Sequence, residues 1–508
     1  MLGAICTTRE MRAWEINSAH LGVPTRLLME NAGATVARII LERFKPRTVS
    51  VVAGVGGKAG DGLVAARHLS TAGVHVRVFL VSRPESIHHP DTLDALKAAE
   101  AAGVELHYDY MRWADSDWLD ADVIVDAMLG TGVRGELRRP YREIVEEINR
   151  SGRKVVAIDI PTGIDPDTGK VLGTAVKADI TVTMHCIKAG LKQNDGPRHA
   201  GEIVVANIGL PRDAWLYIGP GDLEVLLPRR REWARKGEAG RVLVVGGSKW
   251  FYGAPWIAAL SAFYAGADLV YLAAPEPVFN TVVSPEIIPV PLPGDILRVN
   301  HARELEDRIQ LADVILVGPG IGAHRESWIA SRLIVKRALE LGKLVVVDAD
   351  GLKALTEYAT PQDRIESLDG KAILTPHVGE ASLLLGKRIG HEDIEARIEA
   401  AKHLADKLSA VVILKGRIDV VAKPGGYYRL NRSGTPDMSA GGTGDVLAGV
   451  TAGLLAEIKD PWIAAQLAAY VTGVAGEEAV REQGRAAPSL LIREVSRTLS
   501  RVRYKYAS

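Results

Sequence analysis

The chain has 508 residues, of which 47% are apolar, and its 62 lysines and arginines are balanced by 62 aspartates and glutamates. That length predicts more than one domain, each long enough to bury its own core. A net charge of zero gives no reason to expect nucleic acid or an anionic membrane as a partner.

The cysteines and the apolar stretches indicate the compartment. Cys6 and Cys186 are the only two cysteines, which excludes a disulfide framework and a cysteine-rich zinc site and is typical of a reducing compartment. The N-terminus lacks the basic and apolar segments of a secretory signal. The longest apolar stretch, residues 254–275, is interrupted by polar residues and predicts a buried helix followed by a strand. We therefore expect a cytoplasmic protein.

Two helices are predicted at the start of the chain. Thr7 and Glu10 have the spacing of a capping box. Pro24 is expected to open a second helix over residues 25–44, where apolar residues recur at helical spacing. We interpret both helices as packing elements.

From residue 49 the pattern changes to short β-branched runs that end in glycine or aspartate. These runs are residues 49–53, 74–81, 123–126, 155–159 and 180–183. Their alternation with helical segments is typical of a parallel sheet with helices on both faces. Ligands bind such sheets outside the carboxyl ends of the strands. The segments at those ends are rich in glycine and aspartate: residues 54–62, 126–132 and 159–163.

The pattern breaks between residues 211 and 236, where prolines, glycines and arginines cluster. We place the domain boundary there, giving domains 1–225 and 226–508. A second series of strands follows, at residues 241–245, 269–273, 314–317, 344–347, 372–375 and 411–414. These strands end in residues 246–248, 318–322, 348–350, 376–380 and 415–416. Residues 489–506 predict a closing helix with a basic tail.

The glycine-rich segment before Asp445 is the clearest candidate site. Three glycines at 441, 442 and 444 allow the backbone to approach a ligand, and the apolar run after Asp445 predicts a helix whose first amides face the glycines. Such a helix start binds anions. Asp445 itself can cap the helix or take a proton from a bound hydroxyl. An ordinary glycine turn fits this short motif equally well.

Three other strand-end residues have two interpretations each. His377 is either a turn residue or a ligand contact. Lys415 is either a solvated charge or an ammonium presented to phosphate. Glu380 either caps the next helix or holds a hydrated magnesium ion. Neither glycine motif has the Walker P-loop spacing, and the sequence has no evident serine or cysteine nucleophile elbow.

The motifs taken together resemble a known family. The first half carries MENAG at residues 29–33, GVGGKAGDG at 54–62, DAMLGTG at 126–132 and DIPTGID at 159–165, and is similar to NAD(P)H-hydrate epimerase domains. The second half carries GGS at 246–248, GAP at 253–255, GPG at 318–320, TPH at 375–377, LKG at 414–416 and GGTGDVLAG at 441–449. It resembles ADP-dependent NAD(P)H-hydrate dehydratases. Together the halves resemble the bifunctional NAD(P)H-hydrate repair enzymes over nearly the whole chain.

The resemblance implies a fold and an activity. The expected fold is α/β in two domains, an N-terminal Rossmann-like three-layer sandwich and a C-terminal ribokinase-like domain. Such enzymes repair NADH and NADPH that have taken up water: one domain interconverts the R and S hydrates, and the other dehydrates the S hydrate. Phosphoryl transfer from ADP with Mg²⁺ activates the hydroxyl, giving NAD(P)H, AMP and phosphate. The implied partners are these hydrates and ADP, with no nucleic acid or membrane, in a homo-oligomer.

The resemblance also implies roles for residues of the second half. Asp445 would be the base for the hydrate's C6 hydroxyl, and Glu380 would help to order magnesium. Ala254, Ile321 and His377 would line the hydrate site. The residues implied to hold the nucleotide and the transferring phosphoryl group are Lys415, Gly416, Arg417, Ile418, Asp419, Gly442, Thr443 and Gly444.

In the first half, Asp159 would move the proton that opens and recloses the hydrated ring. The residues implied to bind the substrate there are Gly57, Lys58, Ala59, Gly60, Asp61, Gly130, Thr131, Gly132, Val133, Arg134, Gly135, Glu136 and Tyr141.

One position departs from the family pattern. The family has two asparagines between the glycines and uses the second to bind K⁺, whereas this chain has Gly57 and Lys58. Asp126 and Thr162, the other potassium positions, are retained. We hypothesise that the Lys58 ammonium replaces the ion. In the alternatives, Lys58 points to solvent and K⁺ binds through fewer ligands, or the epimerase is weak.

Two other functions fit the same residues. A ribokinase-like kinase would use Asp445 and the same glycine segment to phosphorylate a small-molecule hydroxyl, beside an N-terminal dinucleotide-binding module. Alternatively, the first domain serves only as a dinucleotide-binding or oligomerisation module. The departure at Lys58 favours this interpretation, and the presence of Asp159 and Thr162 opposes it.

Overall fold

The computed structural model describes residues 3–230, 232–280, 284–355 and 365–504. Its contacts divide the chain between Ala214 and Trp215 into two compact units, eleven residues before the expected boundary at 225. The intervening segment belongs to the second unit because Arg429 pairs with Asp222 and donates to the carbonyl of Tyr217.

The first unit is built on a seven-stranded parallel sheet. Its strand order is β4-β3-β2-β5-β6-β7-β9, and β1 pairs separately with β8. The strands are β1 (Ile5–Cys6), β2 (Thr48–Ala53), β3 (His75–Leu80), β4 (Glu105–Tyr108), β5 (Val123–Ala127), β6 (Lys154–Ile158), β7 (Ile180–Met184), β8 (Ile187–Lys188) and β9 (Glu202–Ala206). The helices are α1 (Thr8–His20), α2 (Thr25–Phe44), α3 (Gly57–Thr71), α4 (Pro90–Ala101), α5 (Tyr110–Trp113), α6 (Tyr141–Arg150), α7 (Gly196–Ala200) and α8 (Arg212–Leu216), with short 3-10 turns at Pro84–Ser86 and Ala189–Lys192.

Helices cover both faces of this sheet. Successive residues of a strand point to opposite faces: Val51 contacts α3 at Gly62, while Val52 packs in a cluster with Ile144 of α6. The first unit therefore has the three layers that the family resemblance implied.

The second unit contains a nine-stranded sheet among its described residues. Its order is β12-β11-β10-β13-β14-β15-β16-β17-β18, parallel as far as β16 and antiparallel from there to β18. The strands are β10 (Arg241–Val245), β11 (Leu269–Pro275), β12 (Ile288–Leu292), β13 (Val314–Val317), β14 (Leu344–Val347), β15 (Ala372–Leu374), β16 (Val411–Leu414), β17 (Asp419–Lys423) and β18 (Tyr427–Asn431). The helices are α9 (Pro220–Leu226), α10 (Gly253–Ala265), α11 (His301–Glu304), α12 (Glu306–Leu311), α13 (Arg325–Glu340), α14 (Asp350–Lys353), α15 (Val378–Leu385), α16 (Ile394–Leu408), α17 (Thr443–Ile458), α18 (Pro461–Gln483) and α19 (Pro488–Arg503), with 3-10 turns at Glu276–Asn280 and Pro436–Ser439.

The central elements agree with the sequence predictions. Helix α2 and strands β10, β13, β14 and β16 have the predicted bounds, and the capping box of Thr7 and Glu10 is present at the start of α1. The closing helix α19 ends at Arg503, and the predicted basic tail continues into residues 505–508, which lie outside the described residues.

A disulfide joins Cys6 and Cys186 across 180 residues of sequence. The cysteine count excluded a disulfide framework, and one bond is not a framework. It is nevertheless a covalent link that the count did not predict, and it weakens the inference of a reducing compartment. Within the described part of the chain, no helix combines the length and apolarity of a membrane span.

The pair of Arg429 and Asp222 gives a stability prediction. The Asp222 side chain is fully buried, and its two oxygens accept from the guanidinium. We expect Asp222→Ala to lower the free energy of unfolding of the second unit by about 3–5 kcal/mol, because Arg429 is left as an uncompensated buried charge. Denaturant unfolding of the full chain measures this. Glu42→Ala, which breaks the exposed pair with Arg38, is the control with little expected change, and an equal effect of both variants would contradict the prediction.

Candidate active sites

A buried ammonium lies at the carboxyl ends of β5 and β6. Nζ of Lys58 is 3.0 Å from Oδ2 of Asp126, 3.2 Å from Oγ1 of Thr162, 2.7 Å from the carbonyl oxygen of Ile160 and 3.2 Å from that of Leu129. Burial lowers the pKa of Lys58, and the Asp126 carboxylate opposes that shift. All four neighbours of Nζ are oxygen atoms. The lone pair of a neutral amine would face one of them and be repelled, whereas an ammonium has only N–H donors, so the surroundings suit a cation.

The oxygens around Lys58 are themselves fixed. Thr162 donates from its backbone amide and its hydroxyl to the two carboxylate oxygens of Asp126, at 2.7 and 2.6 Å. Both side chains are completely buried. The three positions at which the resemblance implied a potassium site therefore meet in one cluster, and the interpretation that Lys58 points to solvent is wrong.

Asp159 lies on the turn that follows β6. Its backbone φ is +62°, in the left-handed region, which turns its carboxylate towards the neighbouring strand β7. Oδ1 of Asp159 is 2.6 Å from Nζ of Lys188 and accepts from the amide of Met184 at 3.1 Å. The Asp159 side chain is 15% exposed, so it combines a fixed orientation with access from solvent.

The expected phosphate contacts of the first unit lie at the start of α3 and in the loop after β5. Gly56 is the N-cap of α3, and the first amides of such a helix face outward. Ala59 and Gly60 are buried, with Gly60 against Met29 and Thr92, so they contribute backbone only. The loop of residues 130–136 is mostly exposed, and Tyr141 is half-buried with its hydroxyl bonded to Ser82.

In the second unit, Asp445 lies in the first turn of α17. The N-cap residue Gly442 has φ +92°, which favours glycine, and no side chain caps the helix. Asp445 is therefore not the cap, which was one of its two interpretations. Burial raises the pKa of Asp445 to about 7, with a further increase from the Asp348 carboxylate and a decrease from Lys415. The Thr443 hydroxyl donates to the carbonyls of Met438 and Ala440, and the Thr443 amide also donates to Ala440, so Thr443 fixes the turn before α17.

Lys415 brings a cation to the same helix start. A Cβ built on Gly444 would lie 3.6 Å from its Nζ. Nζ is also 3.0 Å from Oδ1 of Asp348, which accepts from the Thr375 hydroxyl at 2.7 Å. Burial lowers the pKa of Lys415, but Asp348, Glu380 and Asp445 outweigh it and raise the pKa overall.

The comparisons with known proteins agree with this geometry. The family model of NAD(P)H-hydrate dehydratases matches residues 242–498, and that of the YjeF-related protein N-terminus matches residues 25–190. A bifunctional NAD(P)H-hydrate repair enzyme of Hyperthermus butylicus is 43% identical over 95% of this chain and 89% of its own length. The chain belongs to the family of bifunctional NAD(P)H-hydrate repair enzymes.

Other members of this repair family are similarly close. The relative from Pyrobaculum aerophilum is 41% identical over 98% of this chain and 99% of its own length. A solved structure, the ADP/ATP-dependent NAD(P)H-hydrate dehydratase from Bacillus subtilis co-crystallized with ATP/Mg²⁺, is 29% identical, covers 57% of this chain and 98% of its own, and has a TM-score of 0.47. The predicted family and the two-domain α/β fold are confirmed.

Some residues that the resemblance to the repair family singled out have local structural roles. His377 is the N-cap of α15: its Nδ1 accepts from the amide of Gly379, and Glu380 accepts from the His377 amide. Glu380 therefore caps α15 through Oε2, while its Oε1 lies 3.5 Å from Nε2 of His377, whose side chain is 59% exposed and can still contact a ligand. Among the described residues, no group of three or more His, Cys, Asp or Glu is placed to hold a metal ion.

The other expected ligand contacts of the second unit differ in how accessible their side chains are. The Ile321 side chain is fully buried in the core, so only its main chain can border a hydrate site, whereas Ala254 is half-buried nearby at the start of α10. Asp419 closes the loop after β16 by accepting from the amide of Gly416 and from Asn431. Gly416 and Arg417 are exposed.

Two residues near the sites were missed from the sequence. The sequence indicates a possible role for Asp348 only through its position directly after β14, and Asp348 was not among the predicted site residues. For Lys188 there is no such indication, because it lies in the two-residue strand β8, and only the fold brings its ammonium to Asp159.

Proposed function

We propose that this chain repairs hydrated NADH and NADPH. Its second unit dehydrates the S hydrate with ADP as phosphoryl donor, and its first unit interconverts the R and S hydrates. The observation that carries the proposal is Asp445, a carboxyl group with a pKa of about 7 that interacts electrostatically with Lys415 at a helix N-terminus that no side chain caps. The names of the relatives agree with this assignment.

Hydroxide is a poor leaving group, and this defines the task of the second unit. Asp445 takes the proton of the C6 hydroxyl as the oxygen attacks the terminal phosphorus of ADP, which releases AMP. The lone pair of the ring nitrogen then expels phosphate, and loss of a proton from C5 restores the dihydronicotinamide. The helix N-terminus and Lys415 stabilise the charge on the transferring phosphoryl group, and one preorganised donor of this kind is worth ~10² to 10³ in rate.

Magnesium would neutralise charge on the nucleotide phosphates. Glu380 is the candidate to order it, because only its Oε2 is used to cap α15 and Mg²⁺ needs only one or two protein carboxylates. The exposed backbone of residues 416 and 417 would border the adenine nucleotide.

In the first unit, Asp159 is the group that exchanges the proton of the C6 hydroxyl when the ring opens and recloses. Its fixed orientation and partial exposure support this role. Phosphates of the dinucleotide would lie against the start of α3 and the loop of residues 130–136.

Potassium does not fit the first unit while Lys58 occupies its position. The oxygens of Asp126, Thr162, Leu129 and Ile160 that would ligate the ion already surround an ammonium. Lys58 therefore supplies the positive charge, and epimerisation proceeds without a monovalent metal ion.

We expect the wild-type rate of epimerisation to be equal in potassium and sodium chloride of the same ionic strength. Lys58→Asn removes the ammonium and restores the amide of the family pattern, so this variant is expected to be slow in sodium and faster in potassium. Chromatographic separation of the two hydrates measures both rates. A large potassium stimulation of the wild type would contradict the replacement.

The raised pKa of Asp445 predicts how dehydration depends on pH. A general base must be unprotonated, so kcat/KM should increase with pH up to about 7 and then level off. Asp348→Asn removes a negative charge that raises the pKa of Asp445, so this variant should move the increase to lower pH. Recovery of dihydronicotinamide absorbance from the S hydrate measures the profile, and the same profile in both proteins would refute this assignment.

The function itself is tested with ADP, Mg²⁺ and a mixture of both hydrates. We expect full recovery of NADH with equal amounts of AMP and inorganic phosphate. A stable phosphorylated product with no NADH would refute the dehydratase activity. It would show instead that the second unit is a ribokinase-like kinase that acts through the same Asp445.

A further inference from the structure

Three acidic side chains surround the buried ammonium of Lys188. Its Nζ is 2.6 Å from Oδ1 of Asp159 and donates to the carbonyl of Met184 at 2.9 Å, and only 1% of the side chain is exposed. The carboxyl groups of Glu15 and Asp61 each interact electrostatically with both Lys188 and Asp159. Asp159 therefore has two further carboxyl groups within electrostatic range.

Helix α1 is fixed above this cluster. Strand β1 pairs with β8, and the disulfide of Cys6 and Cys186 joins the same two segments. On α1, Sδ of Met11 is 3.9 Å from Sγ of Cys186, and the ring of Trp14 packs edge-on against His185. Glu15 follows Met11 by four residues, so it lies on the same face of the helix. Glu15 is half-buried on this side of α1, and its carboxyl group interacts electrostatically with Lys188.

We propose that Glu15 is a second catalytic residue of the first unit, the acid and base for the ring nitrogen, while Asp159 serves the C6 hydroxyl. This inference rests on the proposed epimerisation.

The chemistry of ring opening requires two proton transfers. As the bond between C6 and N1 breaks, the hydroxyl oxygen loses a proton to Asp159 and becomes a carbonyl, and N1 gains a proton from Glu15. The ring-opened aldehyde rotates about the bond between C5 and C6. N1 then attacks the opposite face of the carbonyl and returns its proton to Glu15, while Asp159 returns a proton to the oxygen. All atoms and protons are recovered, and only the configuration at C6 has changed.

The charges around Glu15 suit a proton donor. Burial raises the pKa of Glu15 to about 7; Lys188 and Arg12 lower it, and Asp159 raises it further. Asp61 also interacts with Glu15, and burial, Asp159 and Glu15 raise the pKa of Asp61 well above its ordinary value. An ordinary glutamate would be ionised at neutral pH, whereas Glu15 keeps its proton up to about pH 7.

The test uses the full chain without ADP, so that only interconversion of the hydrates is followed. Glu15→Gln is expected to reduce the initial rate of interconversion ~10² to 10⁴-fold, with dehydration of the S hydrate in the presence of ADP unchanged. Glu10→Gln, on the same helix, preserves the capping box and should keep the wild-type rate. Equal thermal unfolding of both variants shows that α1 is intact.

The pH profile separates a catalytic from a structural role. Because the donor must be protonated, the wild-type rate of interconversion should fall above about pH 7, and Glu15→Gln should lack that decrease. A variant with full activity, or one that is slow but keeps the decrease, overturns the assignment of Glu15 alone. A wild-type chain that cannot interconvert the hydrates refutes the proposed epimerisation and this inference with it.

Discussion

Asp445→Asn is expected to reduce kcat/KM for dehydration of the S hydrate ~10² to 10⁴-fold, because it removes the general base and keeps the shape of the side chain. Interconversion of the hydrates should be unaffected, since Asp445 belongs to the second unit. Absorbance of the dihydronicotinamide formed with ADP and Mg²⁺ measures the loss.

A matched control for this variant lies on the same segment. Asp437 is exposed in the short turn before the glycines, so Asp437→Asn should retain the wild-type rate. If Asp445→Asn retains that rate as well, the carboxyl group is not the base and the proposed dehydratase mechanism is wrong.

Asp159→Asn is expected to reduce the rate of interconversion of the hydrates ~10² to 10⁴-fold, because it removes the proposed acid-base group. Given both hydrates and ADP, the variant should convert the S hydrate and then stop, with the R hydrate left over. Chromatography of the residual substrate distinguishes this result from a general loss of activity.

The loss of the Asp159 carboxylate also removes the ion-pair partner of the buried Lys188, so folding must be measured beside activity. Asp117→Asn, which changes a side chain that is 75% exposed and pairs with Arg77, is the control with unchanged activity. Complete conversion of both hydrates by Asp159→Asn would remove Asp159 from the mechanism.

The strands that the sequence predicted are the central ones. Strands such as β13 and β16 are continuous apolar runs because both of their faces are buried. The strands it missed in the two large sheets, β4, β9, β12, β17 and β18, lie at or near the ends of those sheets, and the two-residue strands β1 and β8 were missed as well. β12 is an edge strand with two prolines, and four of its five residues are exposed or half-buried, so neither apolar content nor propensity marks it.

The candidate sites likewise contain residues that the sequence predicted and residues that it missed. The glycine segment before Asp445 was predicted because anion binding at a helix start depends on local backbone, and local backbone is encoded in a short segment. Asp348 was missed because its importance depends on Lys415, 67 residues away, and that distance closes only when β14, β15 and β16 pair side by side.

By itself the sequence determined the family, the α/β class and the positions of the central strand ends, because these follow from local periodicity and from motifs of a few residues. Only the tertiary structure decided what the charged side chains do there. It placed the Lys58 ammonium among four oxygens instead of in solvent, brought Lys188 to Asp159, and joined Cys6 to Cys186. The physical reason is that a buried charge or thiol is defined by partners distant in sequence, which only packing brings within contact.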